Sequence, residues 1–384
     1  MSRINVMKPW MGADEILALT EVIESGWVAQ GPRVAQFEEE FAAAMDADYA
    51  VATSNCTTAL HLALIVAGVG PGDDVIVPSF SFIATTNAPT YVGARPLFAD
   101  VDPVTGNVTT ESIAYVVTEM TKAVIVVDQG GVPVDLEPIR EFCDSLGIIV
   151  IEDAACAAGS TYRGRSVGAG AQLAAWSFHP RKLLTTGEGG MLTTSNPEWA
   201  ARARQLREHS MSVSAIARAA SVLAPPEEYL EIGFNFRMTD LQAAVGIVQL
   251  GRLPEIVRRR RELAERYAEL LADIPGVRPV ADPDWGTSNF QSYWVEIEPR
   301  ENLDREVVLE ALARADISAR RGIMAAHRQP AYWGADTGSG ALTVTEWLTD
   351  NTLILPLYHQ LTFDEQDRVV AVLREVASVG NGVS

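Results

Sequence analysis

Three cysteines, Cys56, Cys143 and Cys156, are too few and too far apart in 384 residues to make a disulfide framework, and without a CxxC pair they offer no structural zinc site. Reduced thiols are the simplest reading. The five histidines, His61, His179, His209, His327 and His359, lack metal-ligand spacing, so no metal centre is expected. His61 in its apolar helix reads as a core residue. No apolar run approaches the roughly 20 residues that a bilayer crossing needs. The stretch Met1 to Pro9 also lacks an apolar signal core. A soluble cytoplasmic protein with no membrane partner is expected. Positive charge is scarce as well: 30 Lys and Arg against 50 Asp and Glu leave a net charge of -20. That balance argues against nucleic acid, whose phosphates are held by clustered cations. An anionic substrate must then meet a local basic patch, for which Arg181, Arg237, Arg320, Arg321 and Arg328 are candidates. There is neither an internal repeat nor a low-complexity linker.

What is present reads as a large globular chain, with 48% hydrophobic and 21% charged residues. Strand and helix signals alternate from about residue 49 to 248, which predicts an α/β fold with a mainly parallel sheet covered by helices. The clearest strands are Val75-Ile76-Val77, Pro96-Leu97-Phe98-Ala99, Ala123-Val124-Ile125-Val126-Val127 and Ile148-Ile149-Val150-Ile151. A boundary near Pro254 divides a large domain, residues 1–253, from a smaller α+β C-terminal domain, residues 254–384. Residues 255–267 read as an amphipathic helix whose arginine run is a solvated face with i,i+4 partners such as Glu262 and Glu265. Residues 211–228 read as a helix and loop near the substrate or dimer opening. Gly68-Val69-Gly70-Pro71-Gly72 follows a helix and precedes a strand, the reverse of a dinucleotide loop, and so reads as a turn.

The run Ser177-Phe178-His179-Pro180-Arg181-Lys182 sets one lysine between an apolar strand and a glycine-rich turn that ends at Gly189-Gly190. An enclosed lysine can form a Schiff base, whereas most lysines are merely solvated. Asp153 ends the β-branched run Ile148 to Ile151 extended by Glu152, at the sheet edge where open α/β sheets bind ligands. Alone, such a carboxylate is as readily a helix cap. Paired with Lys182, 29 residues later at the end of the next strand-like run, it suggests a pyridoxal phosphate site. The ring nitrogen of that cofactor needs an acidic partner. Ser54-Asn55-Cys56-Thr57-Thr58 links a short strand to an apolar helix that stops at Gly68. The first-turn amides and the Thr57 hydroxyl make either an anion cup, with Ser177 adding a hydroxyl, or a plain cap.

Thr57 to Leu64, Pro71 to Pro78, Glu152 to Ala155, Ser177 to Lys182 and Gly233 to Met238 resemble, in order and spacing, the DegT/DnrJ/StrS aminotransferases. The likeness covers nearly the whole chain. It implies pyridoxal phosphate fold type I, with pyridoxamine phosphate as the intermediate form of the cofactor. It also implies amino transfer, with glutamate as donor by analogy, to a keto sugar that is often nucleotide-linked. On this resemblance Lys182 and Asp153 are catalytic, Lys182 forming the Schiff base and Asp153 pairing with the ring nitrogen. Cys56, Thr57 and Ser177 hold the phosphate, Phe82 stacks on the ring and Cys156 faces its phenolic oxygen. Asn235 reaches the phosphate of the neighbouring subunit's cofactor, which implies a homodimer with shared active sites.

Without the family, Phe82 reads as a core aromatic and Asn235 as a turn residue. His179, Arg237, Arg321, His327 and Tyr332 are the candidates for substrate contact. Three departures from the family pattern stand out: Cys56 where Gly is usual, Cys156 where Gln is usual, and Val127-Asp128-Gln129-Gly130-Gly131 where His, an apolar pair and Gly are common. Amination of a cyclitol or another ketone remains an alternative, as does a catalytically silent cofactor-binding regulator. The deoxygenating branch has histidine in place of the lysine, which the presence of Lys182 argues against.

Overall fold

A computed structural model describes residues 3–213, 222–223, 226–301, 303–335, 337–338 and 340–379. Fourteen strands, β1 to β14, are named here in chain order. The main sheet is built from β1 (Tyr49–Thr53), β2 (Asp74–Pro78), β3 (Arg95–Ala99), β4 (Thr121–Val127), β5 (Ile149–Asp153), β8 (Leu173–Ser177) and β9 (Gly190–Thr194), in the order β1-β9-β8-β5-β4-β2-β3. β9 runs antiparallel to both of its neighbours, and the other pairings are parallel. Alternate residues feed opposite faces, as the two-residue period of a strand requires. Val75 and Val77 join the cluster under helix Cys56–Val66, whereas Ile76 joins the one under helices Thr110–Val116 and Leu136–Leu146. Burial on both faces explains why these strands read as unbroken apolar runs rather than alternating ones.

A second sheet follows, β10 (Val277–Pro279), β12 (Tyr293–Ile297), β13 (Arg320–Arg321) and β14 (Thr352–Leu355), antiparallel in the order β10-β12-β14-β13. Helices Arg305–Arg314 and Phe363–Val379 pack on it through Leu312, Val369 and Leu373. The short strands β6 (Thr161–Tyr162) and β7 (Arg165–Ser166) pair with β11 (Gly286–Thr287) in a third sheet.

Two expectations need correction. Helix Asp240–Leu271 starts at a Thr239–Gln242 capping box and runs through Pro254 without a break, so no element begins at Glu255. Proline ordinarily stops or kinks a helix. Here the flanking residues are tied into two cores, Ala243, Leu250 and Leu253 on the large-sheet side and Leu263, Tyr267 and Leu271 on the small-sheet side. The arginine run is not a uniformly solvated face either. Arg260 is 1% exposed and donates to the carbonyls of Phe290, Gln291 and Leu357. Burial without a counter-charge pushes its guanidinium down to about 9. Arg259 pairs with Glu262 at i,i+3 rather than i,i+4. The stretch 211–228, read from sequence as a helix and loop, lies in large part outside the described residues.

Candidate active site

Strand register assembles the site at the C-terminal edge of the main sheet. Gly190, at the start of β9, is opposite Thr53 of β1 and Ser177 of β8, which brings the turn after β1 beside the end of β8. A Cβ at Gly190 would lie 2.4 Å from the Asn55 carbonyl carbon and 2.6 Å from the Cys56 nitrogen. Only glycine allows that approach. The turn then enters helix Cys56–Val66, whose N-cap is Asn55: its side chain accepts from the Thr58 amide at 2.9 Å. The Ala59 amide bonds the Asn55 carbonyl. Cys56 and Thr57 are therefore left as the first-turn residues whose amides remain for an anion, a role suited to the positive end of a helix. Cys56 is not among the positive-φ residues, so cysteine in place of glycine costs the turn no strain here.

Asp153 ends β5 and is 5% exposed. Its Oδ2 accepts the Thr85 hydroxyl at 2.8 Å, Thr85 meets Ser81 at 2.8 Å, and its Oδ1 accepts the Ala155 amide at 3.3 Å. Cys56 Sγ approaches Oδ1 at 4.0 Å. Burial raises the Asp153 carboxyl, and Thr85, Lys182 and the Ala155 amide offset that only in part. Lys182 Nζ donates to Cys156 Sγ at 3.0 Å. Burial alone would lower this amine. Cys156 first, then Cys56 and Asp153, reverse the direction and raise it. The Cys56 thiol is itself pushed well up, by burial and then by the Asp153 carboxylate.

Phe82, at the N-terminus of helix Ile83–Tyr91, is 63% exposed, so the reading of it as a core aromatic is overturned. The loop that carries it is held from the turn after β4: Gln129 Nε2 donates to the Phe80 carbonyl, and Asn107 Oδ1 accepts the Gln129 amide. Asp128 turns inward to accept the Val134 amide at 3.0 Å. Its carboxyl is pushed well up by burial, then by Glu152 and Asp153.

The structure joins Lys182, Asp153, Cys56 and Cys156 directly, and puts Ser177 and Thr57 on the same edge through Gly190. His179, three residues before Lys182, accepts the Arg181 amide on Nδ1 at 3.2 Å, and burial lowers its imidazole. Asn235 is exposed and forms a bridge with Glu208, and Arg237 is half-buried. The remaining candidates have other partners. Arg321 is exposed on β13 and pairs with Glu306. His327 bonds Ser79 at 2.7 Å through Nδ1 and Glu346 at 3.2 Å through Nε2. The Tyr332 hydroxyl donates to Asn87 at 2.7 Å. Sequence reasoning gave no role to Thr85 and Ser81, although their i,i+4 spacing at a helix start was a usable signal, and it noted Gln129 only as part of a departure from the family pattern.

A lysine amine, a buried carboxylate, two first-turn amides and an exposed ring at one sheet edge define an aldehyde- and phosphate-binding enzyme of the transaminase kind. The DegT/DnrJ/EryC1/StrS aminotransferase family model matches residues 9–374, and the chain belongs to that family. It is 38% identical to the aminotransferase TlmJ from Streptoalloteichus hindustanus, with a TM-score of 0.89 over 98% of this chain and 99% of that one. It is 32% identical to DesI, solved in the presence of its TDP-sugar product, with a TM-score of 0.88 over 99% and 94% of the two chains. The sugar aminotransferase Spr1654 from Streptococcus pneumoniae, described as putative and solved in a PLP form, is 26% identical with a TM-score of 0.90 over 98% and 99%. The fold is that of the type I pyridoxal phosphate enzymes, and pyridoxal phosphate is the cofactor. The residues fit it: Asp153, its charge disfavoured by burial, suits a cationic ring nitrogen, and the Cys56 and Thr57 amides suit a phosphate. Among the described residues no cluster of His, Cys, Asp or Glu could hold a metal, and no helix is long and apolar enough to cross a membrane.

Proposed function

We propose that this aminotransferase moves an amino group from glutamate to a keto sugar carried on a nucleotide. It does so in the cytoplasm, as a homodimer whose active sites are shared. The observation that carries the assignment of roles is the convergence of Lys182 Nζ and the Asp153 carboxylate beside the Cys56 and Thr57 amides. The nucleotide-sugar acceptor is supported by the likeness to DesI. The cofactor, when bound, supplies an aldehyde carbon for nitrogen and an electron sink.

The chain's own groups do the rest. Lys182 anchors the cofactor, and its amine, once released, takes a proton from the α-carbon of the donor and returns one during the acceptor half-reaction. Asp153, steadied by Thr85 and Ser81, keeps a proton on the ring nitrogen. Cys56, Thr57 and Ser177 hold the phosphate, Phe82 covers the ring face, and Asn235 reaches the phosphate in the partner subunit. His179 and Arg237 are the best placed of the substrate candidates, since the polar contacts of Arg321, His327 and Tyr332 are made elsewhere. Residues 1–253 form the cofactor-binding domain and 254–384 the small domain, with helix Asp240–Leu271 spanning both.

The test supplies purified protein with cofactor, glutamate and a panel of acceptors, and follows products by mass spectrometry. The expected result is an aminated nucleotide sugar with 2-oxoglutarate formed in equal amount. Amination of a free cyclitol alone would replace the acceptor class. A cofactor spectrum that glutamate leaves unchanged would leave glutamate as donor untenable.

A further inference from the structure

We propose that Cys156 and Lys182 are an oxidative modification site, joined under peroxide by a covalent sulfur–nitrogen bond that takes the amine out of use. The two atoms are already in contact, Nζ to Sγ at 3.0 Å, and both residues are half-buried, open enough for a small oxidant. Neither of the other thiols is so placed. Cys143 is fully buried in the sheet core, with its thiol pushed up to about 11 by burial and by Asp144. Cys56 faces the Asp153 carboxylate rather than donating to or accepting from an amine, and burial keeps its proton on.

The chemistry balances with a hydroperoxide as the oxidant. Sulfur attacks one peroxide oxygen, the O–O bond breaks, and a sulfenic acid and one water are formed. The Nζ lone pair then attacks sulfur, the S–O bond breaks, and the hydroxyl leaves as a second water with a proton from nitrogen. Sulfur has lost two electrons and the peroxide has gained them.

The first step prepares the second. The proton on Nζ is held against burial chiefly by Cys156, whose sulfur accepts its hydrogen bond. Oxidising that sulfur to a sulfenic acid weakens this support, and burial then favours the unprotonated, nucleophilic amine. Contact distance makes the closure unimolecular, so it outruns capture by external thiols at modest concentration. The link itself rests only on this contact. Its consequence, failure to anchor cofactor, rests on the role proposed above for Lys182.

The experiment treats the full-length protein, cofactor-free and cofactor-loaded, with hydrogen peroxide and maps peptides without reductant. The expected product joins the Cys156 and Lys182 peptides at a mass about 2 Da below their sum and separates again with dithiothreitol. Oxidised cofactor-free protein should fail to develop the colour of bound cofactor until the thiol is added. Cys56→Ser should retain the link and Cys156→Ser should lose it. Borohydride treatment of the loaded enzyme beforehand should abolish it by consuming the amine. A sulfenic acid at Cys156 that dimedone traps with Lys182 unlinked, or a Cys56–Cys156 disulfide in its place, overturns the proposal. If borohydride tags no lysine, the anchoring role fails, while the peptide map of cofactor-free protein still decides the link.

Discussion

The edge of the large sheet and the segment 320–332 both looked like binding surfaces in sequence, yet they treat their polar groups in opposite ways. At the sheet edge, binding capacity is left over: Phe82 is 63% exposed, the Cys56 and Thr57 amides have no place in the helix ladder, and the Asp153 carboxyl is raised by burial that Thr85 and Ala155 offset only in part. In the later segment four of the polar side chains are engaged. Arg321 pairs with Glu306, His327 bridges Ser79 and Glu346, Arg328 reaches Asp350 and Glu346, and Tyr332 holds Asn87. Interactions already made in the free protein stabilise the fold, whereas groups held in place without partners are available to a ligand. The difference separates residues expected to govern rate from residues expected to govern stability.

The largest effect is expected at Lys182. Lys182→Ala should lower turnover by about 10⁴-fold or more, because both covalent anchor and proton carrier are lost. Cofactor should still bind, without a borohydride tag. Normal turnover in that variant would end the comparison at once. Asp153→Asn keeps the shape and the Thr85 contact but not the charge, and should slow single-turnover proton removal from the donor by about 10²–10³-fold. An unchanged rate would mean that the carboxylate only caps Ala155.

How far the sequence revealed this contrast depended on distance along the chain. Asp153 and Lys182 were legible because one ends an apolar strand and the other follows the next by five residues, and a buried parallel strand announces itself as a run of Ile, Val and Ala. The partners that tune them were not. Thr85 meets Asp153 from the start of a helix far away in sequence, with Ser81 behind it, and their local spacing shows that they pair but not that they face this carboxylate. Arg260 misled for the same reason: in a run of four arginines its neighbours are solvated or half-buried, and only the distant carbonyls of Phe290, Gln291 and Leu357 explain its burial. Pro254 was read by its local rule, yet packing on both sides carries the helix through it. In the segment 320–332, charge and aromatic content suggested a ligand surface, whereas the partners at Ser79, Asn87 and Glu306 were invisible until the chain was folded.

Glu152 lies next to Asp153 on the opposite face of β5, and it measures what burial costs when Arg140 and the Gly168 backbone offset it only in part. Its Oε2 is buried without a hydrogen bond among the described contacts, and burial raises its carboxyl to about 7. The folded-state value is above the ordinary glutamate value near 4.3, so the proton is favoured by folding. The associated stability is full below about pH 4.3 and is lost as pH rises through about 7. Glu152→Gln should remove that slope, gaining roughly 1–3 kcal/mol over the parent between pH 5 and pH 8 in urea unfolding. A parallel pH dependence in the two proteins would contradict the raised value.

The smallest effects are expected in the segment 320–332, and they decide whether its residues belong to the substrate site. Arg321→Ala breaks an exposed, solvent-screened pair with Glu306 and should leave unfolding essentially unchanged. Tyr332→Phe removes one hydroxyl bond to Asn87, worth about 1 kcal/mol. Both variants should keep kcat/KM for the sugar acceptor within about twofold, since loss of a surface ion pair or a structural hydroxyl contact does not reach the transition state. The same assay on Arg237→Ala should show a larger rise in acceptor KM, because Arg237 lies two residues after Asn235 and is half-buried. A tenfold fall in kcat/KM for Arg321→Ala, with unfolding unchanged, would return that arginine to the substrate site and erase the distinction between the two regions.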